Sequence, residues 1–305
     1  MPVLCTWTMP LDLYIICLPT PLRISGISIR ITDRSHTNRL SSRQIFLQQI
    51  RNYWIHFCHD RISFNYSQEH QVNRDIVCRV RIIIDSLPKF LRNSKILFDA
   101  CRITLGVPKT FYRFREQYDR GEVTLSELYT PGTKYYSTRI SPTTDINSKH
   151  LAFIKKQAKS LQPSSVLDVG CGSGFLLQKL EKELGEGCQY VGIDYSPPRE
   201  TRTIRYIRGA FRPILQSMPD SAYELVTCTH TLEHVEDPSE IIPELMRVCT
   251  QLVLIVPLET KYKWGLNYHI NFYPTTRSFL KLVEYPNIKV KTLQWLGDLL
   301  VYICH

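Results

Sequence analysis

The chain has 305 residues, of which 43% are hydrophobic and 22% are charged, and this globular composition excludes a disordered or collagen-like chain. No run of 18 apolar residues occurs, so we expect no transmembrane helix. The net charge of +10 is uneven, because residues 1–150 hold 21 Lys and Arg against 12 Asp and Glu, whereas residues 151–305 hold 17 against 16. A basic front half is typical of proteins that bind nucleic acid, an anionic membrane or acidic ligands.

The ten cysteines are widely spaced and include no C-x-x-C pair, which argues against a zinc knuckle or a redox pair. The apolar stretch from Val3 to Leu18 contains Pro10 and Asp12 and lacks a preceding basic residue, so it is a poor signal peptide. We therefore expect free thiols and a cytoplasmic location.

The front half shows three kinds of pattern in chain order. Residues 1–40 have no clear period, and we expect a poorly ordered lead. From Ser42, and again over Asp75–Leu105, apolar residues recur at spacings of three and four, which predicts helices. The turn-rich, tyrosine-rich stretch over 106–144 is interpreted as a connector that covers a site. Residues 41–147 are thus predicted to form a mainly helical extension or cap.

After about His150, predicted strands and helices alternate. Strands are predicted at 165–169, 189–193, 205–208, 224–228 and 251–256, and helices at 148–161, 174–184, 239–248 and 275–283. A terminal hairpin is predicted over 289–304, turning at Gly297-Asp298. This alternation predicts an α/β fold over 148–305, with a doubly wound, mostly parallel sheet and an antiparallel terminal strand.

A glycine-rich loop gives the sharpest functional signal. The buried strand at 165–169 runs into Gly170, Cys171, Gly172 and Gly174 and then into a helix. Glycine allows positive φ and removes the side chains that would keep a ligand away from the backbone. The helix N-terminus adds unpaired N–H groups, so this loop is predicted to hold a polar cofactor.

Two acids indicate which cofactor the loop holds. Asp168, two residues before the first glycine, would repel a phosphate but suits an ammonium group. Asp194 follows Gly174 by twenty residues at the end of the next strand, where an acid suits ribose hydroxyls. The third glycine also comes one residue earlier than in the dinucleotide motif. A ribose and an ammonium group without phosphate describe S-adenosylmethionine.

Together with Tyr223–Val226 and His230–Pro238, these motifs resemble those of class I S-adenosylmethionine-dependent methyltransferases, most closely the group acting largely on small molecules. The resemblance covers about residues 150–305 and implies a Rossmann-like methyltransferase fold. It implies that the loop, with Asp168, holds the methionine part and that Asp194 binds ribose. The implied cofactor-binding residues are Asp168, Gly170, Cys171, Gly172, Gly174 and Asp194.

The chain departs from the family pattern after the third strand. Where the family often has an acid that contacts adenine, this chain has Gly209-Ala210-Phe211. Phe211 is then expected to stack on the ring instead. The link from Asp194 to Arg205 is short and contains Pro197-Pro198, so the second crossover helix is predicted to be reduced or absent.

Two histidines are candidates for a general base, should the acceptor be a hydroxyl. His230 follows the fourth strand, and His269 lies in the loop after the fifth. His230 to His234 also matches the H-x-x-E-H zinc motif. That motif requires a helix, whereas this segment follows a strand and ends at Asp237-Pro238, so we expect no metal there. His234 is predicted to be a structural histidine bonded to the backbone.

The function predicted from the sequence is S-adenosylmethionine-dependent methyl transfer to a small-molecule acceptor. One alternative is a non-catalytic binding protein with this fold, which the altered segment at Phe211 favours. A second is a methyltransferase acting on RNA. The RNA hypothesis is less favoured because the arginines of the front half are dispersed singly over stretches that also carry wide apolar stripes.

Overall fold

The computed structural model describes residues 82–104, 109–129, 133, 146–262, 267–285 and 288–304. The predicted lead and the helical stretch from Ser42 lie outside these residues. The described front segment is largely helical over 82–104, where helices are predicted, but it is also helical over 109–119, where the sequence predicts a turn-rich connector, and residues 82–86 form one of its helical turns. Its other elements are α1 (Lys89–Arg92), α2 (Lys95–Thr104), α3 (Lys109–Asp119) and a 3₁₀ turn (Leu125–Leu128).

From Ile146 onward, helices and strands alternate. The helices are α4 (Ser148–Leu161), α5 (Phe175–Leu184), α6 (Phe211–Gln216), α7 (Pro238–Arg247) and α8 (Thr276–Leu280). The strands are β1 (Ser165–Val169), β2 (Gln189–Asp194), β3 (Ile204–Arg208), β4 (Tyr223–Thr229), β5 (Cys249–Pro257), β6 (Lys289–Trp295) and β7 (Asp298–Cys304). A second 3₁₀ turn (Leu232–His234) follows β4.

The seven strands form one sheet in the order β3-β2-β1-β4-β5-β7-β6. Strands β1 to β5 are parallel, and β7 runs antiparallel to both β5 and β6. This arrangement confirms the predicted doubly wound, mostly parallel sheet. All five residues of β1 are buried, because helices cover both faces of the sheet.

Two apolar layers enclose the sheet. On one face, the buried side chains of α4 and α5 pack on β1, β2 and β5, among them Ile154, Leu177 and Leu180. On the other face, α6 and α7 contribute Leu215 and Ile242 to the larger cluster. The carboxyl ends of β1, β2 and β4 lie side by side between these layers, as the pairing of Asp168 with Gly192 and with Thr227 shows. A ligand site is expected at this edge of the sheet.

Three details test the sequence-based boundaries. No helix is present over 195–203, so the prediction of a reduced crossover is confirmed. The helix predicted over 275–283 is shorter, since α8 ends at Leu280 and only turns follow it, shortly before Pro286. The hairpin turns one residue earlier than predicted, because Leu296 and Gly297 both have positive φ and Asp298 already belongs to β7.

Whether a helix can cross a membrane depends on its length and its apolarity. Within the part of the chain that the structure describes, no helix combines the length and apolarity needed to cross a bilayer.

Folding stability should fall in mild acid because of His150. This fully buried residue accepts a hydrogen bond at Nδ1 from Asn147 and donates one from Nε2 to Leu293 O. Burial lowers the pKa of His150 from 6.5 to about 4, despite the opposing charge of Asp298. The ring is therefore neutral in the fold but protonated below pH 6.5 when unfolded.

The stability that this neutral ring contributes is present above pH 6.5 and is lost as the pH falls toward 4. We expect the free energy of unfolding to decrease by up to about 3 kcal/mol over that range. Urea denaturation at several pH values measures this slope. A His150→Gln variant should lose this contribution to the slope, and an equal slope in both proteins would contradict the assignment.

Candidate active site

The glycine loop adopts the conformation that its sequence predicts. Gly170, Gly172 and Gly174 have φ of 76°, 52° and 74°. A Cβ on Gly170 would approach Thr231 Oγ1 to 2.1 Å, and one on Gly174 would approach Tyr206 Oη to 2.1 Å. A Cβ on Gly172, in contrast, would meet nothing within 4 Å in the part of the chain that is described. The outer glycines thus permit close packing, whereas Gly172 faces open space that a ligand could fill.

Asp194 fixes the middle of this loop. Its Oδ2 accepts a hydrogen bond from the N–H of Gly172 at 3.0 Å, and its Oδ1 accepts one from Ser196 N at 2.9 Å. The N–H groups of Gly170 and Cys171 both donate to Ile193 O. The end of β2 therefore holds the loop after β1 in place and presents a carboxylate beside it.

Asp168 lies deeper, at the end of β1. Its side chain is 2% exposed, and its Oδ1 accepts a hydrogen bond from Thr227 Oγ1 at 2.7 Å. Burial raises the pKa of Asp168 to about 7; the Thr227 bond lowers it, and the charge of Asp194 raises it further. A carboxylate in this setting is stabilised by a cation, such as the ammonium group of an amino acid.

This titration should make cofactor binding pH-dependent. A cationic cofactor group favours the ionised form of Asp168, so affinity should rise with pH up to about 7 and then level off. Below that pH, the dissociation constant should increase by up to about tenfold per pH unit. Calorimetry across pH 5.5–8.5 (roughly the range where a pKa near 7 is resolved) measures this effect. An Asp168→Asn variant should bind weakly at all pH values, and a retained pH dependence would show that another group titrates.

A cavity of about 540 Å³ lies over these residues. Of the residues singled out from the sequence, Asp168, Gly170, Cys171, Gly172, Asp194, Phe211 and His230 line it. Gly174 and His269 are not among its lining residues. Among the described residues, its charged lining comprises one arginine and five acids: Arg212, Asp168, Asp194, Glu236, Asp237 and Glu240. Leu125, Ser126 and Tyr129 also line it, so the connector predicted to cover a site does contribute to the cavity wall.

Aromatic rings form one side of the cavity. The ring of Tyr195 stacks on that of Tyr129, with centroids 4.7 Å apart, and tilts against Phe211 at 5.2 Å. Phe211 itself is buried at the start of α6. Tyr195 was missed by the sequence reasoning, although its place directly after Asp194 at the end of β2 is a usable signal.

Cys171 contributes bulk to the site. Its side chain is buried, and burial raises the pKa of the thiol well above its ordinary value, as do Asp168 and Asp194. The thiol therefore remains protonated at neutral pH, which makes it a poor nucleophile.

His230 lies between two buried acids. Its Nδ1 is 3.4 Å from Glu233 Oε1, and its Nε2 is 4.0 Å from Asp298 Oδ2. The side chain is 5% exposed and the backbone φ is 51°, an unusual value for a residue other than glycine. Such strain is often found at functional sites.

Of the other two histidines, His234 lines the cavity and His269 does not. His234 Nδ1 is 3.3 Å from Tyr268 O, the backbone contact that the sequence predicted. The Nδ1–H of His269 donates to the carboxylate of Glu259, and its ring meets that of His234 edge-on at 4.7 Å. Burial opposes ionisation of Glu233, but His230, His269 and His234 outweigh it and lower the pKa of Glu233 to about 2.

Comparisons with known proteins agree with this site. A family model described as a methyltransferase domain matches residues 144–284. The ubiquinone biosynthesis O-methyltransferase of Yersinia pestis (strain Pestoides F) is 33% identical over 118 residues, covering 35% of this chain and 46% of the relative. The chain thus spans about half the length of the curated relatives that it matches.

Solved structures are also similar at low identity. A SAM-dependent methyltransferase from Aquifex aeolicus is 20% identical, with a TM-score of 0.40, over 59% of this chain and 95% of that one. One from Archaeoglobus fulgidus is 15% identical, with a TM-score of 0.36, over 51% and 94%.

The residues at the sheet edge fit the cofactor of the matching family. The open space at Gly172 admits a ligand against the backbone, and the buried carboxylate of Asp168 suits a cationic group. The family match, the strand order and the residues of this site all indicate the same family. Residues 144–284 therefore belong to the class I S-adenosylmethionine-dependent methyltransferase domains, whose cofactor is S-adenosylmethionine.

Proposed function

We propose that this protein transfers a methyl group from S-adenosylmethionine to a hydroxyl oxygen of a small organic molecule. One observation carries the proposal: one cavity is lined both by the seat formed by Asp168, Gly172 and Asp194 and by His230. Cofactor binding and proton removal can then take place beside the same cavity.

In this proposal, different residues bind different parts of the cofactor. The carboxylate of Asp168 binds the ammonium group, while the backbone at Gly172 lies against the methionine part. Asp194 accepts hydrogen bonds from the ribose hydroxyls, and Phe211 and Tyr195 stack on adenine in place of the missing acid. The bound cofactor supplies an electrophilic methyl group on a sulfonium.

His230 is proposed to take the proton of the acceptor hydroxyl. With its Nδ1–H directed at Glu233, the ring would receive that proton at Nε2, a buried atom that the acceptor reaches only after the ring shifts toward the cavity. Asp298 then lies 4.0 Å from the new positive charge and stabilises it. A positioned base of this kind contributes typically about 10²- to 10⁴-fold in rate. His269 does not line the cavity, so it is a weaker candidate than His230 for the general base.

Two observations support a small acceptor. The Yersinia relative is a ubiquinone biosynthesis O-methyltransferase, which favours a small acceptor for this chain too. The cavity of about 540 Å³ also lies within the range of small-molecule sites, about 300–1,000 Å³. Its five acids against one arginine would repel a polyanion, which argues against RNA at this cavity.

Isotope transfer tests the proposal directly. The protein is incubated with cofactor carrying a deuterated methyl group and with the small-molecule and RNA fractions of a cell extract, and the products are analysed by mass spectrometry. We expect a labelled small molecule, absent when the Asp168→Asn variant replaces the natural protein. Label found only in RNA would overturn the acceptor class, and no label in any fraction would favour a non-catalytic binding protein.

A further inference from the structure

A cluster of ligating side chains lies at the wall of the cavity. Glu233, His234 and His269 each offer one ligand atom, and these atoms lie within 4.8 Å of one another. We propose that the three residues form a binding site for a divalent transition-metal ion of the zinc type. His234 also lines the cavity, so the ion would lie beside the wall of the cavity rather than in the cofactor seat.

The topology brings the three residues together. Glu233 and His234 lie in the 3₁₀ turn that follows β4, and His269 lies in the loop that follows β5. Because β4 and β5 pair in parallel, these two connections leave the sheet at the same edge. The H-x-x-E-H pattern alone could not indicate this set, because the third ligand comes from a separate loop.

Backbone hydrogen bonds hold the turn and the loop in register. The N–H groups of Ile270 and Asn271 both donate to Glu233 O, at 2.9 and 3.2 Å. The Asn271 side chain donates from Nδ2 to Leu232 O at 3.0 Å and to Val235 O at 2.6 Å. The ligands are therefore mounted on a connected backbone, which lowers the entropy lost when an ion binds.

Both imidazoles have the outer contacts that metal-binding histidines usually have. The Nδ1–H of His234 donates to Tyr268 O, and that of His269 donates to the Glu259 carboxylate. A carbonyl or carboxylate at one ring nitrogen fixes the tautomer in which the other nitrogen carries a lone pair. Each ring would then bind the ion through Nε2.

The carboxylate of Glu233 gives an independent indication of a cation. The side chain is 1% exposed, and among the described residues its Oε2 has no hydrogen-bond partner. A buried carboxylate oxygen without a donor is costly, typically by 1 to 3 kcal/mol or more. A metal ion coordinated by this oxygen would remove that cost.

The donor set favours a particular class of ion. Two imidazoles and one carboxylate suit Zn²⁺ or Co²⁺, whereas Mg²⁺ and Ca²⁺ prefer all-oxygen sites. Ligand atoms around a tetrahedral zinc lie roughly 3.3 Å apart. Side-chain rotations that move each ligand atom by about 1 Å would bring the three atoms to that spacing. A fourth position would remain for water.

Metal binding to the full chain, stripped of metal by a chelator, tests the proposal. We expect one Co²⁺ per chain, visible d–d absorption, and displacement of Co²⁺ by Zn²⁺ with a rise in the thermal unfolding midpoint. A His269→Gln variant should bind Zn²⁺ at least about 100-fold more weakly. A Glu244→Gln variant, which changes an acid of α7 outside the cluster, should bind as the natural protein does.

Three results would overturn the site. They are the absence of Co²⁺ absorption with the natural protein, an intense near-ultraviolet thiolate band indicating cysteine ligation, and unchanged Zn²⁺ affinity in folded His269→Gln. Because the spectrum of the natural protein decides the first two, the test does not depend on the folding of a variant. It requires no methyl cofactor, so its failure is distinct from failure of the proposed methyl transfer.

Discussion

A Gly172→Ala variant should fold but bind S-adenosylmethionine about 100-fold more weakly than the natural protein, a loss of about 2.7 kcal/mol. The added Cβ meets no atom of the described residues within 4 Å, so this part of the fold can accommodate it. It projects instead into the space where the cofactor must approach the backbone. The positive φ of 52° costs about 1–2 kcal/mol of stability for alanine. Calorimetry and thermal unfolding separate the two effects.

Gly121→Ala is the matched control for that variant. Gly121 also has a positive φ, of 71°, and a Cβ there also meets no described atom within 4 Å, but the residue is not among those that line the cavity. It should lose similar stability and retain full cofactor affinity. Equal affinities for Gly172→Ala and Gly121→Ala would mean that the cofactor does not lie against Gly172.

Replacing His230 with asparagine should reduce the rate of methyl transfer by about 10²- to 10³-fold while leaving cofactor affinity within about twofold. Asparagine tolerates the left-handed backbone conformation of this position better than alanine does, so the variant retains the local fold. It cannot accept a proton at neutral pH. The loss should therefore appear in kcat, measured with the acceptor that isotope transfer identifies.

Cofactor binding by the same His230→Asn protein serves as the internal control. Normal binding with a reduced kcat assigns the effect to the transfer step. An undiminished kcat would remove His230 from the mechanism. Loss of cofactor binding together with activity would instead show that the residue supports the cavity wall.

The sheet and the cofactor loop were predictable because their determinants are local. Strand β1 was predicted with the boundaries that the structure shows, since a strand buried on both faces is a continuous apolar run. The positive φ of Gly170 and Gly172 follows from the need for the chain to turn sharply between strand and helix. The hairpin turn was wrong by one residue because Leu296, a residue that rarely adopts positive φ, does so here.

The histidine arrangement was not predictable in the same way. The pairing of His269 with Glu259, and the approach of His269 to His234, depend on how two loops leave neighbouring strands. Sequence spacing carries no information on that geometry. The stacking of Tyr129 on Tyr195 likewise joins segments far apart in the chain, so only the fold shows that both contribute to one aromatic wall.

The structure limits what the positive charge of the front half implies about the cavity. Its described part contributes Leu125, Ser126 and Tyr129 to the cavity wall, and none of these residues is charged. The cavity that they help to form is predominantly acidic. No charged residue of the described part of the front half therefore lines this cavity.

Titration of the purified chain with S-adenosylmethionine and with its demethylated product tests the central claim most directly. Isothermal calorimetry should give saturable binding of one equivalent of each ligand per chain, with micromolar dissociation constants. The absence of heat, and of any thermal stabilisation, with both ligands at millimolar concentration would contradict it.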